Sequence, residues 1–356
     1  MPKNQQQSVF TSVTLPSGLV LKNRLVKAAM EENLADADLT HSQVLKNCYN
    51  AWAKGGVGLI ITGNVMVDHL AMTGPGGLAL EHNTDITPFA ELARLGQQND
   101  SKIVMQIMHC GRIASYHNKA MNARTLAPSA IRANGEIYSD ISGMVPMDIP
   151  EEMTLVEIKQ TIKDYIKSAK NALAAGFDGV ELHCTSGYLP AQFLSTGTNH
   201  RQDIYGGSLS NRLRFTTEVL EGLIKTIGAG RVGLRICPGN PFNDLKDCNP
   251  EETFRELIAQ ANMLKVGYLH VIRMKAGVDN VKLASEFQGD IILNDSYNLE
   301  RGNRALKNKE ADAISFGRAF IANPKLVESF KGNMELSLPD FKTLYTPGPK
   351  GYIDYI

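Results

Sequence analysis

The stretch Gly179-Val-Glu-Leu-His-Cys-Thr-Ser-Gly-Tyr188 decides how the chain is read. Residues 179–182 read as a short buried strand. The strand ends in three hydrogen-bonding side chains, His183, Ser186 and Tyr188, and Gly187 permits a turn between them. Polar side chains clustered just past a buried strand suit the C-terminal mouth of a parallel barrel, where such folds keep their active sites. Side chains alternate at a strand end, so His183 need not share a space with Cys184. The plainer alternative is a satisfied core histidine beside a packing tyrosine.

Outward from this stretch the same pattern repeats. Apolar, strand-like runs occur at Leu25–Met30, Gly58–Met66, Ile103–His109, Gly179–His183, Val232–Cys237, Tyr268–Ile272, Asp290–Leu293 and Ala313–Gly317. Near-continuous apolar runs suit strands buried on both faces of a parallel sheet. Helical patterns fall between them, at about 40–54, 86–99, 211–227, 251–266, 278–287, 298–309 and 323–331. The clearest helix starts at Thr154, where Thr154 and Glu157 form a capping box, and it stops at Gly176. Eight such units predict an α/β fold, a (β/α)8 TIM barrel forming one domain over residues 1–356. A small hairpin is expected around Pro16-Ser17-Gly18. Residues 110–153 are expected to form a lid over the barrel mouth, and 186–210 a long loop after the fourth strand.

Composition narrows the function classes. The chain has 356 residues, 43% hydrophobic and 21% charged, which is ample for a large core. Lys+Arg and Asp+Glu each number 37, so nothing argues for a nucleic-acid or anionic-membrane partner. The five cysteines show no CxxC spacing and predict neither a metal site nor a disulfide framework. Met1–Ser8 is polar, and no run approaches a transmembrane length, so a cytoplasmic location is the default expectation.

The strand ends then supply the chemistry. They offer Ala28-Ala29-Met30-Glu31, Asn64, Gln106 with His109, His183-Ser186-Tyr188, Arg235, and Gly317-Arg318. Arg235 is the most informative, because a guanidinium inside an apolar strand needs an anion or several acceptors. Either an internal ion pair or a ligand that carries or develops negative charge would meet that need. Gln106 offers both a donor and an acceptor, which suits the edge of a heteroaromatic ring. Gly317 lets backbone amides approach a phosphate, and Arg318 can clamp it. A phosphate tail, a hydrogen-bonding ring edge and an electron-rich face near an arginine together fit flavin mononucleotide (FMN).

The ordered segments Leu-Lys-Asn-Arg-Leu-Val (21–26), Gly-Leu-Ile-Ile-Thr-Gly (58–63), Gln-Ile-Met-His-Cys-Gly-Arg (106–112), Gly-Phe-Asp-Gly-Val-Glu-Leu-His (176–183), Gly-Tyr-Leu-Pro-Ala-Gln-Phe-Leu-Ser (187–195) and Phe-Gly-Arg-Ala-Phe-Ile-Ala-Asn-Pro (316–324) resemble the old yellow enzyme family. These are FMN-dependent NAD(P)H:flavin oxidoreductases and ene-reductases. The resemblance spans about Leu21 to Tyr355. It implies that NADH or NADPH reduces FMN, which then passes hydride to the β-carbon of an activated, enone-type alkene. By position, Gln106 and Arg235 would bind the flavin ring, and Gly317 and Arg318 its phosphate. Ala28, Ala29, Met30, Glu31, Asn64, His183 and Asn294 would complete the cofactor set. His183 and Ser186 would hold the substrate oxygen, and Tyr188 would donate the proton. No metal is implied, and a homo-oligomer is compatible with the family.

Three departures stand out. Ser186 occupies the place of a usual His or Asn, Glu31 that of a usual Thr or Cys, and Met108 that of a bulky aromatic in some members. An ionised Glu31 would disfavour the anionic reduced flavin. Ser186 and Glu31 keep open an FMN barrel reducing a nitro compound or quinone; a flavin-binding protein with little turnover is a further alternative, against which Tyr188 and His183 argue.

Overall fold

The computed structural model describes residues 7–121, 123–274, 277–344 and 348–356. Residues 1–6 of the polar N-terminal stretch lie outside the described residues. Eight strands, all paired in parallel, close on themselves: β1 (Leu25–Lys27), β2 (Leu59–Ile61), β3 (Lys102–Met108), β4 (Gly179–Cys184), β5 (Val232–Ile236), β6 (Tyr268–Ile272), β7 (Asp290–Asn294) and β8 (Ala313–Phe316). The ring shuts where β8 pairs with β1, Ile314 opposite Leu25. The fold is therefore the expected (β/α)8 TIM barrel.

Helices between the strands bury one face against the barrel wall. The longest, Leu155–Ala174, is capped as the sequence predicts: Thr154 accepts from the Glu157 amide, and the Glu157 side chain accepts from the Thr154 amide. Ser208, Asn249 and Asn298 cap later helices in the same way, each accepting from an amide three residues on.

The barrel interior is divided by polarity. Its lower half is apolar, with Val26, Leu59, Ile61, Val104, Ile292 and Ala313 packed around Tyr268. Leu15 and Leu21 join this cluster from an antiparallel hairpin, Val13–Thr14 with Val20–Leu21, and close the bottom. Gly233 makes room for the Tyr268 ring, since a Cβ there would lie 2.1 Å from it. The upper half carries Gln106, Glu181, His183, Arg235, His270, Asn294 and Ser315, all buried.

Some boundaries differ from those expected. The first strand ends at Lys27 rather than Met30. Lys27 Nζ donates to Glu32 Oε1 at 3.2 Å, and this contact folds the following residues over the barrel mouth. The second run splits at Gly63, whose amide donates to Tyr49 Oη at 3.0 Å and not to a neighbouring strand. The expected 323–331 helix is two short ones, Arg318–Ala322 and Leu326–Lys331. Pro324 disfavours a helical Asn323, which adopts φ −139°, ψ 81°.

Candidate active site

The polar end of the barrel opens into a cavity of about 590 Å³. A second cavity, about 400 Å³, adjoins it and shares Ala29, Met30, Arg235 and Ile272. The larger one brings together Glu31, Asn64, Gln106, His183, Ser186 and Tyr188. The smaller one collects Ala28, Asn294, Gly317 and Arg318. The cofactor and catalytic residues expected from the sequence thus line one cavity or the other, whereas His109 and Met108 line neither.

A buried network fixes the floor. Glu181 Oε1 accepts from Gln106 Nε2 at 2.7 Å, and its Oε2 lies 2.8 Å from His270 Nδ1. His270 Nε2 lies 2.8 Å from Ser315 Oγ. Burial works against a charged Glu181, but His270, Arg235 and Gln106 outweigh it and hold the carboxyl below its usual range. Burial holds the His270 imidazole down. Glu181 is therefore the carboxylate of the pair. A carboxylate only accepts, so Gln106 turns its NH2 toward Glu181 and keeps its carbonyl for another donor. Sequence reading missed Glu181 and His270. The signal that marked Arg235, an ionisable side chain inside an apolar strand, would have found both.

Arg235 shares the level of His183, its partner in the β4–β5 register. Its Nη1 donates to the Ala29 carbonyl at 3.1 Å and its Nη2 to Asn294 Oδ1 at 3.3 Å. It thereby ties the β1 and β7 ends to the cavity.

His183 is 5% exposed and packs against the Tyr188 ring, centroids 5.2 Å apart. Burial, followed by the nearby Arg235, pushes its pKa down to about 3, so the ring is neutral near pH 7. Its Nδ1 is buried with no hydrogen-bond partner among the described residues. A neutral imidazole on a cavity wall can offer a ligand a hydrogen bond. Ser186 sits at φ 57°, in the left-handed region. Asn243 Nδ2 donates to its carbonyl at 2.7 Å. Arg112 in turn donates to the carbonyls of Asn243 and Asp244 at 3.2 and 2.8 Å, bracing that loop. His109 does not reach the cavity; its Nδ1 accepts from the Gly111 amide at 3.0 Å. Met108 is fully buried in a cluster with Tyr188, Ile113 and Met147 and supports the Tyr188 ring.

The β1 loop is clamped from several sides. Glu32 Oε1 accepts from Tyr49 Oη at 2.9 Å as well as from Lys27. Tyr352 Oη donates to the Glu31 carbonyl at 2.9 Å, so the C-terminal tail helps set this loop. Over the mouth, residues from the 110–153 insertion, including Ile113, Tyr138 and Met147, line the larger cavity. Part of the insertion is a hairpin, Glu136–Ser139 with Gly143–Pro146.

The donor set fits FMN. The larger cavity carries a ring-edge amide and a guanidinium, and the smaller one leads from Arg235 to Gly317 and Arg318. A Cβ at Gly317 would lie 2.7 Å from Met30 Sδ and would displace that flexible side chain. Arg318 is half-exposed and donates to Asp295 Oδ1 at 3.0 Å. An acid thus stands beside the proposed phosphate clamp, a feature the sequence reading passed over.

Comparison with known proteins agrees with this geometry. Residues 8–337 match the NADH:flavin oxidoreductase / NADH oxidase family. A probable flavin mononucleotide-dependent alkene reductase of Leishmania infantum is 34% identical, covering 98% of this chain and 97% of that protein. The 12-oxophytodienoate reductase 1 of Oryza sativa subsp. japonica is 32% identical, over 82% of this chain and 85% of that one. Among solved structures, the old yellow enzyme homologue from Zymomonas mobilis superposes with a TM-score of 0.91 at 30% identity, covering 98% of this chain and 99% of that one. Morphinone reductase in complex with tetrahydroNAD gives 0.90 at 30% identity, covering 98% and 97%. The chain belongs to the NADH:flavin oxidoreductase / NADH oxidase family, the old yellow enzymes, and is an FMN-dependent NAD(P)H:flavin oxidoreductase of the alkene reductase type.

Proposed function

We propose that this enzyme reduces the carbon–carbon double bond of an enone-type alkene, with Tyr188 as the proton donor. The observation that carries the reading is that His183, Ser186 and Tyr188 line the same cavity as Gln106 and Arg235. FMN, held by these residues, would supply the hydride-transfer chemistry between NAD(P)H and the alkene β-carbon.

The protein's own groups do the rest. Gln106 offers its carbonyl and one N–H to the pyrimidine edge of the ring, the other N–H being held by Glu181. Arg235 places positive charge beside the ring and stabilises its reduced form. Gly317 and Arg318 take the phosphate, and Ala28, Ala29, Met30, Asn64 and Asn294 line its path. His183, neutral, donates a hydrogen bond to the substrate carbonyl with Ser186 as the second donor. Those bonds strengthen as negative charge grows on that oxygen, so they favour the transition state over the ground state. Tyr188 gives its phenolic proton to the α-carbon. Phenol is a weak acid, so this step depends on positioning. His183 packs against the Tyr188 ring, and Met108 belongs to the buried cluster that surrounds it.

The test is Tyr188→Phe, followed by rapid mixing of each half-reaction. The rate of flavin reduction by NAD(P)H should stay within a few-fold of wild type. Reoxidation by an enone should slow by about 10²–10⁴-fold, the usual worth of a positioned acid. Equal losses in both halves would remove Tyr188 from the proton-donor role.

A further inference from the structure

Glu31 is an ionisable group in the cavity to which the mechanism above assigns no step. It lines the larger cavity beside Met30 and Asn64. Its Oε1 is bonded to Thr73 Oγ1 at 2.7 Å, and Asn64 also hydrogen-bonds its side chain. Its backbone carbonyl is held by Tyr352, so the residue is fixed at both ends. Among the described residues no cation lies within ion-pair distance of its carboxyl. The neighbouring acid, Glu32, is engaged by Lys27 and Tyr49. The other charged or titratable groups on this cavity are Glu136, Tyr138, His183, Tyr188 and Arg235. Of these, Arg235 is the cation, and it is bonded to Ala29 and Asn294.

We propose that Glu31 couples reduction of the flavin to uptake of a second proton, which it holds on its own carboxyl group. This rests on the FMN reading above. Two-electron reduction with one proton leaves negative charge on the ring. A carboxylate in the same cavity repels that charge, and a carboxylic acid does not. Reduction therefore favours protonation of Glu31, and by reciprocity ionisation of Glu31 lowers the flavin potential. The balance is simple. Hydride from NAD(P)H supplies two electrons and one proton to FMN, and the Glu31 carboxylate takes one further proton from solvent. On reoxidation that proton returns to solvent. Burial already pushes the Glu31 carboxyl above its ordinary range, opposed in part by Thr73 and Asn64. This brings its titration toward the working pH. His183 stays neutral across the same range, its pKa being pushed down to about 3 by burial and Arg235, so it does not supply the second proton.

The experiment is the midpoint potential of the FMN-loaded protein against pH, for wild type, Glu31→Gln and Thr73→Val. Wild type should show a stretch in which the slope rises from one to two protons per two electrons. That stretch lies between the Glu31 pKa of the oxidised protein and that of the reduced protein. Glu31→Gln should keep the one-proton slope throughout. Thr73→Val removes a donor to the carboxylate and should move the two-proton stretch to higher pH. A wild-type curve with no such stretch, or a Glu31→Gln curve parallel to it, overturns the inference while leaving the FMN reading intact. Protein that takes up no FMN overturns both. If Glu31→Gln fails to fold, the wild-type and Thr73→Val curves decide alone.

Discussion

Asp295→Asn should tighten FMN binding, and the gain should be confined to ligands that carry a phosphate. Asp295 follows β7 and accepts from Arg318, the guanidinium assigned to the phosphate, at 3.0 Å. Both side chains are partly exposed, 52% for Arg318 and 38% for Asp295, so the pair is a surface one. Such pairs contribute about 0.2–1 kcal/mol, which Arg318 forfeits when it turns to the phosphate. The carboxylate also repels the phosphate, by about 1 kcal/mol per charge at 4 Å in water. A phosphate monoester carries about 1.5–2 charges near pH 7, so the sum is about 2–3 kcal/mol, or roughly 30- to 150-fold in affinity. The substitution introduces no new backbone strain, because Asp295 sits at φ 65° and asparagine tolerates the left-handed region as well as aspartate. The assay is fluorescence quenching of FMN and, separately, of riboflavin titrated with apoprotein at low salt and near-physiological salt. FMN should bind more tightly to the variant, and the gain should shrink as salt screens the charges. Riboflavin should bind both proteins alike. An equal gain for riboflavin, or no gain for FMN, would refute the placement of the phosphate at Arg318.

Two other substitutions probe the buried polar groups. Glu181→Leu strands Gln106 Nε2 and His270 Nδ1, both buried, and each stranded group costs about 1–3 kcal/mol, so the variant should lose about 2–6 kcal/mol of stability. Adding His270→Leu should recover part of that loss, and strictly additive costs in urea unfolding would show that the two groups do not interact. His41 is buried against Phe89, neither ring nitrogen has a partner among the described residues, and burial pushes its pKa down to about 3. The unfolded chain therefore binds the proton that the folded one refuses, and stability falls as pH drops below about 6.5. His41→Leu removes that penalty, so at pH 5 the variant should gain about 2 kcal/mol relative to its difference from wild type at pH 8. A difference in thermal stability that does not change between the two pH values would contradict the burial argument.

The barrel was legible because each strand announces itself twice, by an apolar run and by the polar residues that end it. Arg235 and Gln106 stood out for the same reason, as costly side chains in apolar runs. Glu181 and His270 carry that signal too, but they were absorbed into runs read for their hydrophobicity. Their meaning lies in each other: neither strand alone says that a carboxylate on β4 meets an imidazole on β6. Strand ends were misplaced where a distant group takes the backbone away from its neighbour, as Tyr49 does at Gly63. Thr73 reaches the cavity from an irregular segment that has no period to read, and Tyr138 from a short hairpin inside the long insertion. The Asp295–Arg318 pair was hidden because the pairing partners are 23 residues apart on separate barrel units.

The central claim is a single cavity in which a flavin is reduced by a nicotinamide and reoxidised by an alkene. An anaerobic two-step titration tests it most directly. Purified protein is loaded with FMN, reduced with NADH or NADPH, and then given cyclohexenone while the flavin absorbance is followed. The account predicts bleaching on the first addition and full recovery on the second, with the saturated ketone as product. Bleaching without recovery would contradict the enone assignment and turn attention to Ser186 and another acceptor. Protein that takes up no flavin would contradict the account at its root.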